Sequence, residues 1–146
     1  MRASYSFSAS WVTPALVADV AETVLDLEHY PDWWPQVRAV VKLGPDTARV
    51  LCRSALPYTL DLVLDAVSRE APTLEVAVSG DLEGWVRWTL TAVDGGTRTD
   101  FTQQVVVTGA LAVSSYVARP LLTWNHQRMM RGCEQGLRRR LAMPVS

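Results

Sequence analysis

The fold of this chain is decided where its last strand gives way to its last helix, at residues 99–118, which read TDFTQQVVVTGALAVSSYVA. The odd-numbered positions from 99 to 107 share one face, because side chains alternate along a strand. Gly109 interrupts the alternation, and residues 110–142 then predict one long helix. A run of strands closed by a single C-terminal helix indicates an α+β layout in which a sheet wraps a helix.

Upstream of that junction, the same alternation predicts six more strands. The seven predicted strands cover residues 4–11, 37–43, 48–54, 57–66, 74–78, 86–90 and 99–107. Turns rich in glycine, proline or aspartate separate the later strands. Short connections of this kind favour an antiparallel meander of the last six strands.

Two short helices are predicted after the first strand. Thr13-Pro14 resembles a helix start, with Thr13 as the N-cap and Pro14 at the first helical position. This helix is expected to end near Glu28, and residues 30–35 (YPDWWP) predict a short turn or a second helix. In the C-terminal helix, Pro120 predicts a bend, or a separate short helix before it.

Composition excludes several classes of function. The 146 residues predict a single domain, 1–146, and a net charge of −1 argues against nucleic-acid binding. Cys52 and Cys133 stand in no metal-binding spacing, so no metal is expected and a cytoplasmic location is favoured. No segment approaches about 18 uninterrupted apolar residues, so stable membrane insertion is not expected. The sequence leaves open whether the protein forms a homodimer.

Four motifs, taken in their order and spacing over nearly the whole chain, resemble the START-related helix-grip superfamily, also called SRPBCC or birch-allergen-like. The similarity is greatest to its bacterial polyketide cyclase/dehydrase and lipid-transport members. The motifs are YPDWWP at 30–35, GDLEG at 80–84 before Trp88-Thr89-Leu90, Gly95-Gly96-Thr97, and Arg119-Pro120 followed by Trp124-Asn125-His126, Met130 and Gly136-Leu137.

This resemblance implies a curved seven-stranded antiparallel sheet gripping the last helix around a cavity. It implies a protein that binds a hydrophobic small molecule such as a polyketide or lipid-like metabolite, as a carrier, sequestration or self-resistance protein. The alternative is a polyketide cyclase, aromatase or dehydratase acting in the same cavity, so enzymatic activity is left open, without a metal or organic cofactor. Arg53 is the position that could match the cavity arginine of the family's aromatase/cyclases.

The candidate ligand-binding residues combine aromatic or apolar side chains at inward strand positions with a few polar ones. They are Trp34, Tyr58, Leu62, Val86, Trp88, Phe101, Gln103, Asn125 and Met129. Aromatic walls with few polar groups are typical of pockets for hydrophobic ligands.

Gln103 lies on the apolar face of its strand, so its amide needs a buried partner. That partner is expected to be Asn125, a ligand, or both. Asn125 and His126 cannot both face inward, because successive helix residues are about 100° apart, and the apolar stripe of the helix favours Asn125. His126, as a general base, and Arg53 remain the two catalytic candidates. Whether Arg53 faces inward or outward is left open.

Overall fold

The computed structural model describes residues 2–53 and 59–142, with side chains described for 4–53, 59–106 and 123–141. Its seven strands form one antiparallel sheet in the order β1-β7-β6-β5-β4-β3-β2. The strands are β1 (Arg2–Thr13), β2 (Val37–Lys42), β3 (Thr47–Cys52), β4 (Leu60–Glu70), β5 (Thr73–Gly80), β6 (Glu83–Val93) and β7 (Gly96–Thr108). Strands β2 to β7 are a meander, and β1 joins it by pairing with β7, so the predicted topology is confirmed.

Three α-helices complete the fold: α1 (Val17–Leu25), α2 (Tyr30–Trp33) and α3 (Gly109–Ala142), with a 3-10 turn at Leu27–His29. The sheet curves around α3 as the predicted helix-grip fold requires. Along the described backbone, α3 is one helix from residue 109 to 142, so the separate helix considered before Pro120 is not present. A proline removes one N–H donor, and the hydrogen bonds of the flanking turns suffice to continue this helix.

The predicted helix start at Thr13-Pro14 is wrong. Thr13 is the last residue of β1, where it pairs with Thr97 of β7, and its side chain is fully buried. The helix begins only at Val17, after Leu16. The cap signal at Thr13 is local, whereas the strand continues because β7 offers a partner for two further residues.

The helical segment α2 packs directly against α3 through a glycine. A Cβ atom at Gly136 would overlap the backbone carbonyl oxygen of Trp33, so only glycine permits this approach. One turn earlier, a Cβ at Gly132 would meet only the side chain of Gln36. Beside this contact, Cys133 and Leu137 are fully buried. The C-terminal part of α3 is therefore packed against α2 with no space between the two backbones.

Candidate functional site: an aromatic cavity with one polar pair

A cavity of about 620 Å³ lies between α3, α1 and the inner face of the sheet. Its walls come from every strand except β1, together with residues of all three α-helices. Inward-facing residues such as Leu64, Val76 and Val86 remain only half-buried although they belong to the apolar face. They face the hollow, and an organic ligand placed there would cover them.

Aromatic side chains form one wall of this cavity. The rings of Trp34 and Trp88 meet edge to face with centroids 6.3 Å apart, and Trp88 meets Phe101 in the same way at 4.9 Å. All three are buried and line the hollow. Such edge-to-face contacts hold rings in fixed orientations, which leaves a rigid apolar surface for a ligand.

The position of Trp34 is fixed by a hydrogen bond to the last helix. Its indole Nε1–H donates to the carbonyl oxygen of Met129 at 2.9 Å. Next to it, the buried Tyr30 hydroxyl donates to the carbonyl oxygen of Val24, which ties α2 to α1. Burial raises the pKa of Tyr30 well above its usual value, so this phenol stays protonated. The aromatic wall is thus anchored through backbone carbonyls on both of its sides.

The sheet register creates an uncharged polar pair in the interior part of the wall. Gln103 of β7 lies between Phe7 of β1 and Val86 of β6, and all three side chains share the inner face. His126 of α3 reaches this row from the opposite side. Its Nε2 lies 2.8 Å from Gln103 Oε1, and its ring stacks on Phe7 with centroids 3.8 Å apart.

His126 is uncharged at neutral pH. Burial lowers its pKa to about 4, because a charged imidazolium loses hydration in the apolar interior. The neutral ring therefore donates its Nε2–H to the Gln103 oxygen. The Gln103 amide nitrogen keeps its own N–H donors, which the bond to His126 does not use. The pair is therefore uncharged, with donors on the Gln103 amide nitrogen and an acceptor at Nδ1 of His126.

Most of the sequence-predicted ligand-binding residues do line the cavity. They are Trp34, Leu62, Val86, Trp88, Phe101, Gln103 and Met129. Their contact with a ligand stays a prediction. Tyr58 lies outside the described residues.

The expected inward position of Asn125 is wrong. His126, not Asn125, lines the cavity and bonds Gln103. The two residues are adjacent on the helix, and the apolar stripe of α3 passes between them. The sequence therefore did not distinguish them, and the choice is made by the rotation of α3 about its axis, which turns His126 towards Gln103 and Phe7.

Arg53 does not reach the cavity. It is exposed at the end of β3, and its backbone N–H donates to the Gln36 carbonyl oxygen at 2.8 Å. The nearby Arg49 faces the outer surface, where its guanidinium forms a bidentate pair with Asp61 and lowers the pKa of that carboxyl. On the inner face of the same strand lies Cys52, a cavity residue that sequence analysis missed. Its alternation with Val50 was the available signal, and burial raises its pKa to about 12, so the thiol is neutral.

Charged residues of the cavity wall gather at its mouth, between α1 and the hairpins of the sheet. They are the carboxylates Glu22, Asp26, Glu28, Asp46 and Glu75 and the cations Lys42 and Arg69. Lys42 Nζ lies 3.8 Å from Glu28, and Arg69 donates to Asp46 at 2.8 Å. Both cations of the mouth are therefore paired with acids.

Among the side chains that the structure describes, no group of three or more histidine, cysteine or acidic residues could hold a metal ion. Within the same described part, no helix has the length and apolar content needed to span a membrane.

Residues 4–142 match the model of the polyketide cyclase/dehydrase and lipid transport family. No curated protein matches the sequence. Among solved structures, a protein from Thermus thermophilus superposes with a TM-score of 0.82 at 17% identity, covering 94% of this chain and 97% of its own.

A START superfamily protein from Mycobacterium smegmatis superposes with a TM-score of 0.67 at 14% identity, over 94% of this chain and 96% of its own. An aromatase/cyclase from a Streptomyces species superposes with a TM-score of 0.69 at 12% identity, over 97% of this chain and 94% of its own. At such low identity these similarities establish the fold.

Proposed function

The chain belongs to the polyketide cyclase/dehydrase and lipid transport family, and from that premise we propose that it binds a hydrophobic small molecule in the cavity under α3. In this role the protein is a carrier, sequestration or self-resistance protein for a polyketide or other lipid-like metabolite. The observation that carries the proposal is the cavity itself, about 620 Å³ in volume with Trp34, Trp88 and Phe101 in its wall. Pockets for drug-sized organic ligands span roughly 300–1,000 Å³ and are lined in this way.

The polar pair supports binding with a defined orientation. Gln103 and His126 lie opposite each other across β7 and α3, in a wall that is otherwise mostly apolar. A ligand oxygen next to the Gln103 amide would accept a hydrogen bond there. A few placed polar groups in an apolar pocket fix orientation, while the apolar area supplies most of the affinity.

The test is a titration of tryptophan fluorescence with fused aromatic ketones and alkyl-chain lipids. Trp34 and Trp88 line the cavity, so an occupant should quench or shift their emission with saturation. Native mass spectrometry of the protein purified without denaturation should also detect a retained small molecule. Absence of saturable quenching for every compound, together with a bare protein mass, would exclude the proposal.

A second candidate function is cyclisation or dehydration of a bound polyketide chain, and the observation that favours it is the inward position of His126. An imidazole beside a bound ligand can transfer protons. Its depressed pKa of about 4 weakens it as a base at neutral pH, since general-base catalysis is best with a pKa near the working pH. Binding is therefore the favoured function.

The two candidate functions are separated by incubating the protein with a poly-β-keto thioester and following the products by mass spectrometry. Product formation that exceeds the spontaneous reaction and disappears in His126→Asn would favour the enzyme. Unchanged product distribution alongside saturable ligand binding would favour the carrier.

A further inference from the structure

We infer that the ligand of this cavity is uncharged and carries a hydrogen-bond acceptor, so that carboxylate and sulfonate amphiphiles are excluded. This inference rests on the proposed function, since it names the class of molecule that the same cavity takes. It is carried by the distribution of charge along the cavity: charged side chains lie at the mouth, and neutral ones lie in the interior.

The interior offers no cation to an anionic ligand among the described side chains. The polar groups of its lining residues include the Gln103 amide, the His126 imidazole, the Cys52 thiol and the Tyr30 hydroxyl, which donates to the Val24 carbonyl oxygen. The imidazole and the thiol are both neutral near pH 7, because burial opposes the charged form of each. An anion drawn into such a wall loses its hydration without gaining an ionic partner, which is strongly unfavourable.

The mouth adds a second barrier to anions. Five carboxylates and two cations line it; Lys42 pairs with Glu28 and Arg69 with Asp46, and Glu75 pairs with Arg87 of the neighbouring strand, which leaves an excess of two carboxylates. An approaching anion therefore meets a surface of its own sign. Unlike the desolvation cost inside, this repulsion between exposed charges weakens as salt is added.

The hydrogen-bonding character of the ligand follows from the polar pair. The Gln103 oxygen accepts the N–H of His126, and the amide nitrogen supplies the donors of this pair. A keto, ether or hydroxyl oxygen satisfies such donors without bringing charge. The ligand class is therefore a neutral aromatic or polycyclic molecule with at least one oxygen acceptor.

The experiment compares two fluorescent probes that differ by one sulfonate. N-phenyl-1-naphthylamine is uncharged, and 1-anilinonaphthalene-8-sulfonate is its anionic counterpart. We expect saturable binding of the uncharged probe, and an affinity for the sulfonate that is lower by about 100-fold. We expect most of that ratio to persist in about 0.5 M NaCl, which screens the charges at the mouth, because desolvation inside the cavity is not screened. Equal or tighter binding of the sulfonate, in competition with the uncharged probe, would overturn the inference.

Two variants test where the discrimination arises. Val86→Arg places a guanidinium beside Gln103 in the sheet register and should raise the affinity for the sulfonate while lowering that for the uncharged probe. Val86→Met fills similar space without a charge, so it should change the affinities for both probes together and leave their ratio unchanged. Failure of Val86→Arg to improve sulfonate binding, in a protein that melts as the wild type does, would contradict the interior barrier.

Arg119 lies in α3, and its side chain is outside the described residues. Arg119→Gln is therefore the control for binding of the sulfonate by this cation. Tight binding of the sulfonate that is lost in Arg119→Gln would assign the anion a cationic partner and overturn the inference. Failure of both probes to bind would instead count against the proposed function, so the two failures are distinguishable.

Discussion

The two parts of α3 differ in what they pack against. Near Gly136 the helix touches the backbone of α2, and its neighbours Cys133 and Leu137 have no exposed surface. Near His126 and Met129 the same helix borders a hollow of about 620 Å³. The difference shows that one element both anchors the fold and lines the cavity: the helix is packed tightly on α2 near Gly136 and borders the cavity near His126 and Met129.

The largest expected effect comes from breaking the packed end. Alanine normally stabilises a helix interior by about 1 kcal/mol relative to glycine. In Gly136→Ala the new methyl group would overlap the Trp33 carbonyl oxygen, which belongs to the backbone and cannot rotate away. We expect a loss of about 3 kcal/mol or more in the free energy of unfolding. Urea denaturation measures it, and wild-type stability in this variant would refute direct contact of the two backbones.

A smaller effect on the free energy of unfolding is expected from protonating His126, in the part of α3 that borders the cavity. His126 has a pKa of about 4 in the folded chain, against 6.5 for an ordinary histidine. Between these values the unfolded chain binds more protons, so stability falls as the pH falls. The contribution of this residue should drop by about 2 kcal/mol between pH 7 and pH 5.

The measurement for that prediction is urea unfolding at both pH values for the wild type and His126→Asn, whose stability should depend less on pH. His29, the other histidine, is the matched control. Its exposed ring is hydrogen-bonded to Asp26, which raises its pKa, so its contribution is present at low pH and is lost as the pH rises. The same acid sensitivity in His126→Asn as in the wild type would show that the imidazole is not buried.

The next effect concerns affinity. In Gln103→Leu, a ligand oxygen loses its donor, and binding of a ketone such as fluorenone should weaken by about 1.4 kcal/mol, roughly tenfold. Fluorene has the same rings without the oxygen, and its binding should change little. Paired fluorescence titrations measure both affinities. Equal weakening of the two ligands would mean that the amide serves the structure, through His126, rather than the ligand.

The smallest effect is expected for Gly132→Ala, which sharpens the contrast with position 136. Here the added methyl group meets only the far end of the Gln36 side chain, which can rotate. The gain in helix propensity, about 1 kcal/mol, should nearly cancel the cost of moving Gln36. A melting temperature within a few degrees of the wild type is expected, and a loss as large as that of Gly136→Ala would show that the whole helix, not one contact, is intolerant of side chains.

Sequence reasoning recovered the strands because their alternation is set by burial on one face of the sheet. The row Trp88, Phe101 and Gln103 was predicted to face inward for that reason, and it does. The inward-facing residues of α3 were harder to predict, because several neighbouring positions border its apolar stripe. The choice of His126 over Asn125 depends on where β7 and Phe7 stand in space, and a sequence period carries no such distance.

Other misses have the same origin. Thr13 carries a genuine local cap signal, but pairing with Thr97 continues the strand through it. The packing of α2 on Gly136 was also not predicted, because nothing in the sequence shows which backbone approaches this glycine. Local propensity and periodicity thus predicted the elements, while contacts between distant segments decided the site.

The pairing of β1 with β7 also has a consequence for synthesis. Arg2 lies opposite Thr108, so the first strand of the sheet finds its partner only after more than a hundred further residues have been made. At 5–20 residues per second this takes roughly 5–20 s. During that time β1 exposes an unpaired edge with Tyr5, Phe7 and Trp11 on its apolar face, which invites pairing with other nascent chains. The four serines on its opposite face leave that stretch only half apolar. A chaperone that binds short alternating segments is expected to bind there while the chain is still being made.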